Sequence, residues 1–197
     1  MIPNWTENGV IPPINDLNPT GLERSPYLVS LIDVVLKYGT SPKRNKILLG
    51  LLNFRKELHK IGITKGFQWI DGSFLEDVET LEKREPNDVD IVNFYYLPEN
   101  ISSQRELILK NSHLFDRNIT KYDFNVDSFF VEISLDSNEI SAEVLVQKTH
   151  YWYSIWSHKR DLSWKGFLQI DLSPSDDENA LGNLNTNNIS LVKEELK

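Results

Sequence analysis

Apolar positions along the chain change period several times, and each change marks an element. Leu28, Leu31, Ile32, Val35 and Leu36 recur at intervals of three and four, the spacing of one helix face. Ser25 and Pro26 precede them as a cap and a first-turn proline, and Gly39 follows as a stop. The same grammar repeats from Ser41 and Pro42, where Ile47, Leu48, Leu51, Leu52, Arg55 and Leu58 describe a second amphipathic helix ending near Gly62. Then the period shortens. Residues 67–71 are aromatic and β-branched and stop at Gly72, which reads as a strand running into a tight turn. Residues 73–82 read as a short helix with Phe74, Val78 and Leu81 inward. Val89 and Ile91 next alternate with Asp88 and Asp90 in a second strand. Beyond it the pattern predicts a helix over 102–114 capped by Ser102 or Ser103, and a half-buried strand carrying Phe124, Val126, Phe129, Val131 and Ile133. A long helix over 140–156 and a last strand over 165–172 complete the series.

Both ends depart from this regularity. Residues 1–25 hold Pro3, Pro12, Pro13 and Pro19 among Asn and Gly, which predicts an extended N-terminal arm pinned by Ile2, Trp5, Val10 and Ile11. Residues 173–197 carry five acidic and two basic residues among Asn and Ser, and predict a polar, flexible tail. The stretch between, 26–172, is read as one domain, since 197 residues at 40% hydrophobic content bury a single ordinary core.

Composition narrows the function classes. The absence of cysteine excludes disulfides, cysteine-ligated zinc and thiol catalysis, and fits a reducing cytoplasm. With neither a basic-then-apolar opening nor a spanning run, the chain is expected to be cytoplasmic, without a membrane partner. A net charge of −8 argues against broad attraction to nucleic acid. His59, His113, His150 and His158 show no metal-ligand pairing and are read as surface or capping residues.

The candidate chemistry lies in residues 67–96. Asp88 and Asp90 stand two apart on a strand, so both carboxylates face one side while Val89 and Ile91 face the other. Two carboxylates on one side suit a hard divalent cation. Taken singly, Gly-Ser is an ordinary turn and Asp-x-Asp an ordinary strand edge; in the order strand, Gly72-Ser73, helix, Asp88-x-Asp90 they reinforce each other. Ser73 has no Gly-x-Ser-x-Gly context, which argues against a hydrolase nucleophile.

This pattern resembles the signature of the polymerase-beta-like nucleotidyltransferases. The segments DGSF, KREPNDVD, MIPNWTENGVIPP and KGFLQIDL are closer still to a bacterial group of small, uncharacterised nucleotidyltransferase-like proteins, a likeness covering about residues 1–172. The resemblance implies an α+β fold, a small mixed β-sheet flanked by helices. It implies nucleotide binding at Gly72 and Ser73, and Mg²⁺ or Mn²⁺ held by Asp88, Asp90 and a third carboxylate. Asp127 is the choice for the third because such an acid commonly precedes an apolar strand, with Asp123 and Glu132 as competitors; its implied role joins metal ligation to activation of the acceptor hydroxyl. The fourteen residues between Ser73 and Asp88 slightly exceed the usual interval, so the helix and turn within them are expected to be enlarged or set differently.

Two functions follow as expectations. One is a Mg²⁺-dependent transfer of a nucleotidyl group from a nucleoside triphosphate to a hydroxyl of protein, RNA or a small molecule. The other is a non-catalytic protein partner using the same fold in a bacterial toxin-antitoxin or phage-defence pair. A third reading, RNA binding, rests on Lys148, His158, Lys159, Arg160 and Lys165 beside Tyr151, Trp152, Tyr153, Trp156 and Trp164, and the acidic total charge opposes it. Those aromatics are better read as core and partner surface.

Overall fold

The computed structural model describes residues 1–133 and 139–195, and among these the side chains of all but 139–141 and 187–195. In chain order the elements are β1 (Tyr27–Leu28), α1 (Leu31–Tyr38), α2 (Pro42–Lys60), β2 (Gly66–Asp71), a 3₁₀ turn (Ser73–Leu75), α3 (Val78–Leu81) and β3 (Val89–Tyr95). There follow α4 (Gln104–Lys110), α5 (Ser112–Phe115), α6 (Arg117–Phe124), β4 (Val126–Glu132), α7 (Glu139–Trp156), β5 (Leu168–Asp171) and α8 (Asp177–Glu195). The strands form one mixed sheet in the order β1-β5-β2-β3-β4, flanked by helices, the α+β class that the resemblance implies. β2 runs antiparallel to both β3 and β5, while β3 and β4 run parallel.

The sheet register decides which side chains share a face, because directly paired residues point the same way. One face carries Ile70, Ile91, Ser128 and Phe130 toward α2 and α6: Phe54 of α2 meets Phe124 of α6 edge-on and Phe130 at a tilt, and Thr120 of α6 lies 3.1 Å from Ser128. The other face carries Trp69, Val92 and Phe129 under α7, where Trp152 meets Phe129 at a tilt and Tyr153 meets Trp69 edge-on. α2 and α6 pass closely because Gly50 has no side chain; a Cβ there would lie 1.8 Å from the Phe124 carbonyl oxygen.

The N-terminal residues turn repeatedly, with an antiparallel bridge between Ile14 and Arg24, and pack through apolar anchors. Ile2, Val10 and Ile11 are buried, and Trp5 donates its indole N–H to the Leu75 carbonyl at 2.7 Å. The first helix, however, starts later than the Ser25-Pro26 signal. Tyr27 and Leu28 pair with β5, and Ser30 caps α1 in a box with Asp33, a local bonding pattern that competes successfully with the upstream cap. Ser41 and Pro42 do open α2. The expected helix over 73–82 is only the 3₁₀ turn and four-residue α3, with Phe74 and Val78 buried and Leu81 exposed. The helix expected over 102–114 splits at Asn111, and α6 occupies residues read as loop and strand start. Asp116 caps α6 and Asn125, in the left-handed conformation, ends it.

The flexible-tail expectation is corrected: α8 is a nineteen-residue helix docked on α1 and α2, with Ala180 and Leu184 wholly buried. Its polar composition hides this because two inward positions one turn apart suffice. Asp177 supplies the rest, accepting from Nε and Nη2 of Arg55 at 2.9 and 2.7 Å; that arginine is 1% exposed. Among the described residues no helix is long and apolar enough to cross a membrane.

Candidate functional site

At one end of the sheet, three neighbouring strands each present an aspartate at the same level. Asp71 of β2 pairs with Asp90 of β3, and Asp90 with Asp127 of β4. Since paired residues face alike, the three carboxylates form a row on the α7 side of the sheet, with Asp88 just before β3 on the same side as Asp90. Asp123 lies exposed on α6 and Glu132 pairs with Tyr95 at the far end of β4, so of the three candidates for a third carboxylate the register places Asp127 beside Asp90.

Gly72 closes the row against the turn. Its backbone stands at φ 87° and ψ −176°, a region essentially restricted to glycine. A Cβ would lie 2.1 Å from Oδ2 of Asp90, so the bare Cα is what lets the turn and this carboxylate meet. Ser73 follows, half-buried, its carbonyl accepting from the Glu76 amide at 3.2 Å. Where a helix is expected from Ser73, the three-residue 3₁₀ turn supplies no extended helix dipole; what remains is the local set of backbone groups. Arg44, buried on α2, anchors the far side of the turn by donating to the carbonyls of Phe74 and Glu76 at 2.6 and 2.7 Å.

Crowded carboxylates and scarce compensation govern the electrostatics. Burial, reinforced by Asp88 and Asp127, pushes Asp90 up to about 7 against Lys121 and Lys165. Asp71 is likewise pushed up to about 7, chiefly by burial, with Lys165 opposing. The Lys165 ammonium, 5% exposed, pairs with Asp71 at 2.9 Å and Glu76 at 3.0 Å. Burial alone disfavours its charge, yet these carboxylates hold its pKa above the ordinary lysine value. Glu76 has a second cation in Lys159 at 3.6 Å, and Lys121 also acts on Asp90, yet burial still outweighs these charges at Asp71 and Asp90. Asp127 goes the other way. Burial works to raise it, but Arg117 and Lys121 outweigh that and hold it below the usual carboxylate range.

Arg117 and Lys121 were not legible as site residues, because α6 itself was not. Arg117 donates from Nε and Nη2 to the two oxygens of Asp127 at 2.6 and 2.7 Å; Lys121 lies 2.8 Å from Asp127 and 3.2 Å from Asp88. Their spacing of four, ahead of a left-handed Asn, is the sequence signal that could have found them.

Asp88 and Asp90 offer the hard oxygens that a magnesium-sized cation prefers, and the bare Cα of Gly72 lies directly against Asp90. Both oxygens of Asp127 are engaged by cations, and among the described residues no group of three or more acidic or histidine side chains is arranged as a metal site. The donor set thus suits a dication at Asp88 and Asp90, with Asp127 adjacent but occupied. A search of known families matches residues 3–171 to a family of unknown function, DUF6932. No curated protein and no solved structure matches the chain.

Proposed function

Since the chain belongs to DUF6932, a family whose description carries no activity, we propose from the site itself that it is a Mg²⁺-dependent nucleotidyltransferase. One observation carries the reading: the register aligns Asp90 with Asp127 on adjacent strands and sets the bare Cα of Gly72 against Asp90, at the mouth of the Gly-Ser turn. Asp88 and Asp90 would hold the cation, which neutralises charge on the phosphates and on the departing pyrophosphate when bound. Gly72 and Ser73 give the phosphates a close approach to backbone. Asp127, kept ionised by Arg117 and Lys121 and paired with Asp90 across the strands, would stand next to the reacting centre. The acceptor hydroxyl oxygen bonds to the α-phosphorus and the bond to the β-phosphate oxygen breaks. Pyrophosphate leaves, and a carboxylate of the row takes the hydroxyl proton. The donor class is a nucleoside triphosphate; the acceptor class is a hydroxyl of protein, RNA or a small molecule.

The test is a calorimetric titration of Mg²⁺ with each of the four nucleoside triphosphates, alongside transfer of radiolabel to a cell extract. Asp88→Asn and Asp90→Asn should abolish Mg²⁺-dependent binding while the fold survives, because removing like charges from a crowded row relieves repulsion. Ser73→Ala should weaken it by about tenfold, the worth of one hydrogen bond to a charged group. Equal affinities across all four proteins would refute the reading.

A second reading has its own support. Tyr151 and Ile155 of α7, followed by Leu162 and Trp164, are large apolar groups left 46–78% exposed, as a protein-binding surface would be. A non-catalytic partner of this fold, in a toxin-antitoxin or phage-defence pair, would bind protein there and ignore nucleotide in the same titration.

A further inference from the structure

The molecule's structural cations are deeply buried. Arg44 and Arg55 are each 1% exposed and Lys165 is 5% exposed, and each is surrounded by its acceptors. Arg117 and Lys121 differ. Their side chains are 52% and 42% exposed although the Asp127 carboxylate they hold is only 6% exposed. They stand one turn apart on α6, so both project from one helix face toward the aspartate row. The Arg117 guanidinium lies 4.2 Å over the Phe129 ring, which orients its plane without using its donors. The same two side chains also line a groove of about 570 Å³ together with Ser112, Asp116 and Asn118, so they are reachable from outside the row.

Two half-exposed cations on a carboxylate pair have a definite consequence when the ligands are a dication and a polyphosphate. Lys121 competes with a dication for Asp88, and the two cations together cover both oxygens of Asp127, which can join Asp88 and Asp90 as a third ligand only when the cations leave. The polyphosphate, in contrast, is a better partner for a guanidinium fork and an ammonium than a single carboxylate, because it offers more charge and more acceptors. We infer that Arg117 and Lys121 bind the triphosphate together with the Gly72-Ser73 turn, and that by holding Asp127 and Asp88 until it arrives they make metal binding depend on the triphosphate. This rests on the reading of the site as a metal-nucleotide site. Drawing the cations onto phosphate frees the carboxylate oxygens for the metal, and linkage makes the effect reciprocal: bound metal must favour the triphosphate by the same factor.

The inference predicts responses of opposite sign, which a purely structural salt bridge does not give. Inorganic triphosphate is titrated calorimetrically in EDTA, and Mn²⁺ alone is titrated by electron paramagnetic resonance, on the full chain and on Arg117→Gln and Lys121→Gln. Circular dichroism checks that each is folded. Each substitution should weaken triphosphate binding by about tenfold, one charged hydrogen-bonding partner being lost. Each should also tighten Mn²⁺ binding several-fold, one competitor for the carboxylates being gone. If a glutamine variant does not fold, Arg117→Lys carries the test: it keeps the charge and loses the fork, so triphosphate binding should still weaken. Two affinities that fall together, or neither moving, overturn the inference, as does a wild type that binds no triphosphate without metal. If the wild type also fails to bind Mg²⁺ with any nucleoside triphosphate, the site reading falls with it. If that complex forms and the opposite-signed responses are absent, this inference alone is wrong.

Discussion

Replacing Gly72 with alanine tests the join between fold and site in a single methyl group. The backbone at φ 87° and ψ −176° is strained for any residue with a Cβ, at a cost of order 1–3 kcal/mol. The added carbon would lie 2.1 Å from Oδ2 and 2.9 Å from Cγ of Asp90, so the carboxylate must move; such overpacking costs about 1–3 kcal/mol. Together these give about 4 kcal/mol. At about 2–4 °C per kcal/mol for a domain of this size, Tm should drop by about 8–16 °C. Because relief comes from rotating Asp90 out of the row, Mg²⁺-nucleotide binding should be lost even below the new Tm. Gly182→Ala is the control. It lies in α8 with nothing within 4 Å of its added carbon, so the better helix former should raise stability by about 0.5–1 kcal/mol. The measurement is a thermal melt by circular dichroism with calorimetric titration of each folded protein. A Gly72→Ala protein melting within about 2 °C of wild type, with unchanged Mg²⁺-nucleotide affinity, would refute the claim that the turn and Asp90 are sterically locked.

Two further predictions follow from the same geometry. Deleting residues 175–197 removes Leu184 from the core, worth about 1.5–3 kcal/mol, and leaves Arg55 buried without Asp177, worth about 3–5 kcal/mol; a melt lowered by more than about 10 °C is expected, and an unchanged one would show that α8 does not hold the domain. Asp90 is pushed up to about 7 in the folded chain from an ordinary value near 3.8, so between about pH 4 and 7 the folded state holds more protons than the unfolded. Its contribution to stability is therefore present below that window and lost as pH rises through it. The fall in Tm from pH 5 to 7.5 should be smaller in Asp90→Asn than in wild type, and an identical fall in both would remove Asp90 as its source.

Much of the local structure was determined by the sequence alone, where short-range rules dominate. Ser41 with Pro42 opened α2, the apolar spacing from Ile47 to Leu58 gave its buried face, and the alternation around Asp90 gave a strand. Gly72 and the Asp88-x-Asp90 pair were legible because a positive φ demands glycine and alternating side chains put two carboxylates on one side. Other features waited for tertiary structure, because they depend on which strands become neighbours. Only the pairing of β2 with β3 and of β3 with β4 brings Asp71, Asp90 and Asp127 into one row. Only the passage of α6 beside β4 puts Arg117 and Lys121 on it, and nothing local ties residue 117 to residue 127. The tail shows the limit from the other side. Its composition predicts solvent, yet Asp177, Ala180 and Leu184 find Arg55 and the core more than a hundred residues upstream, and burial against a preformed surface outweighs a polar average.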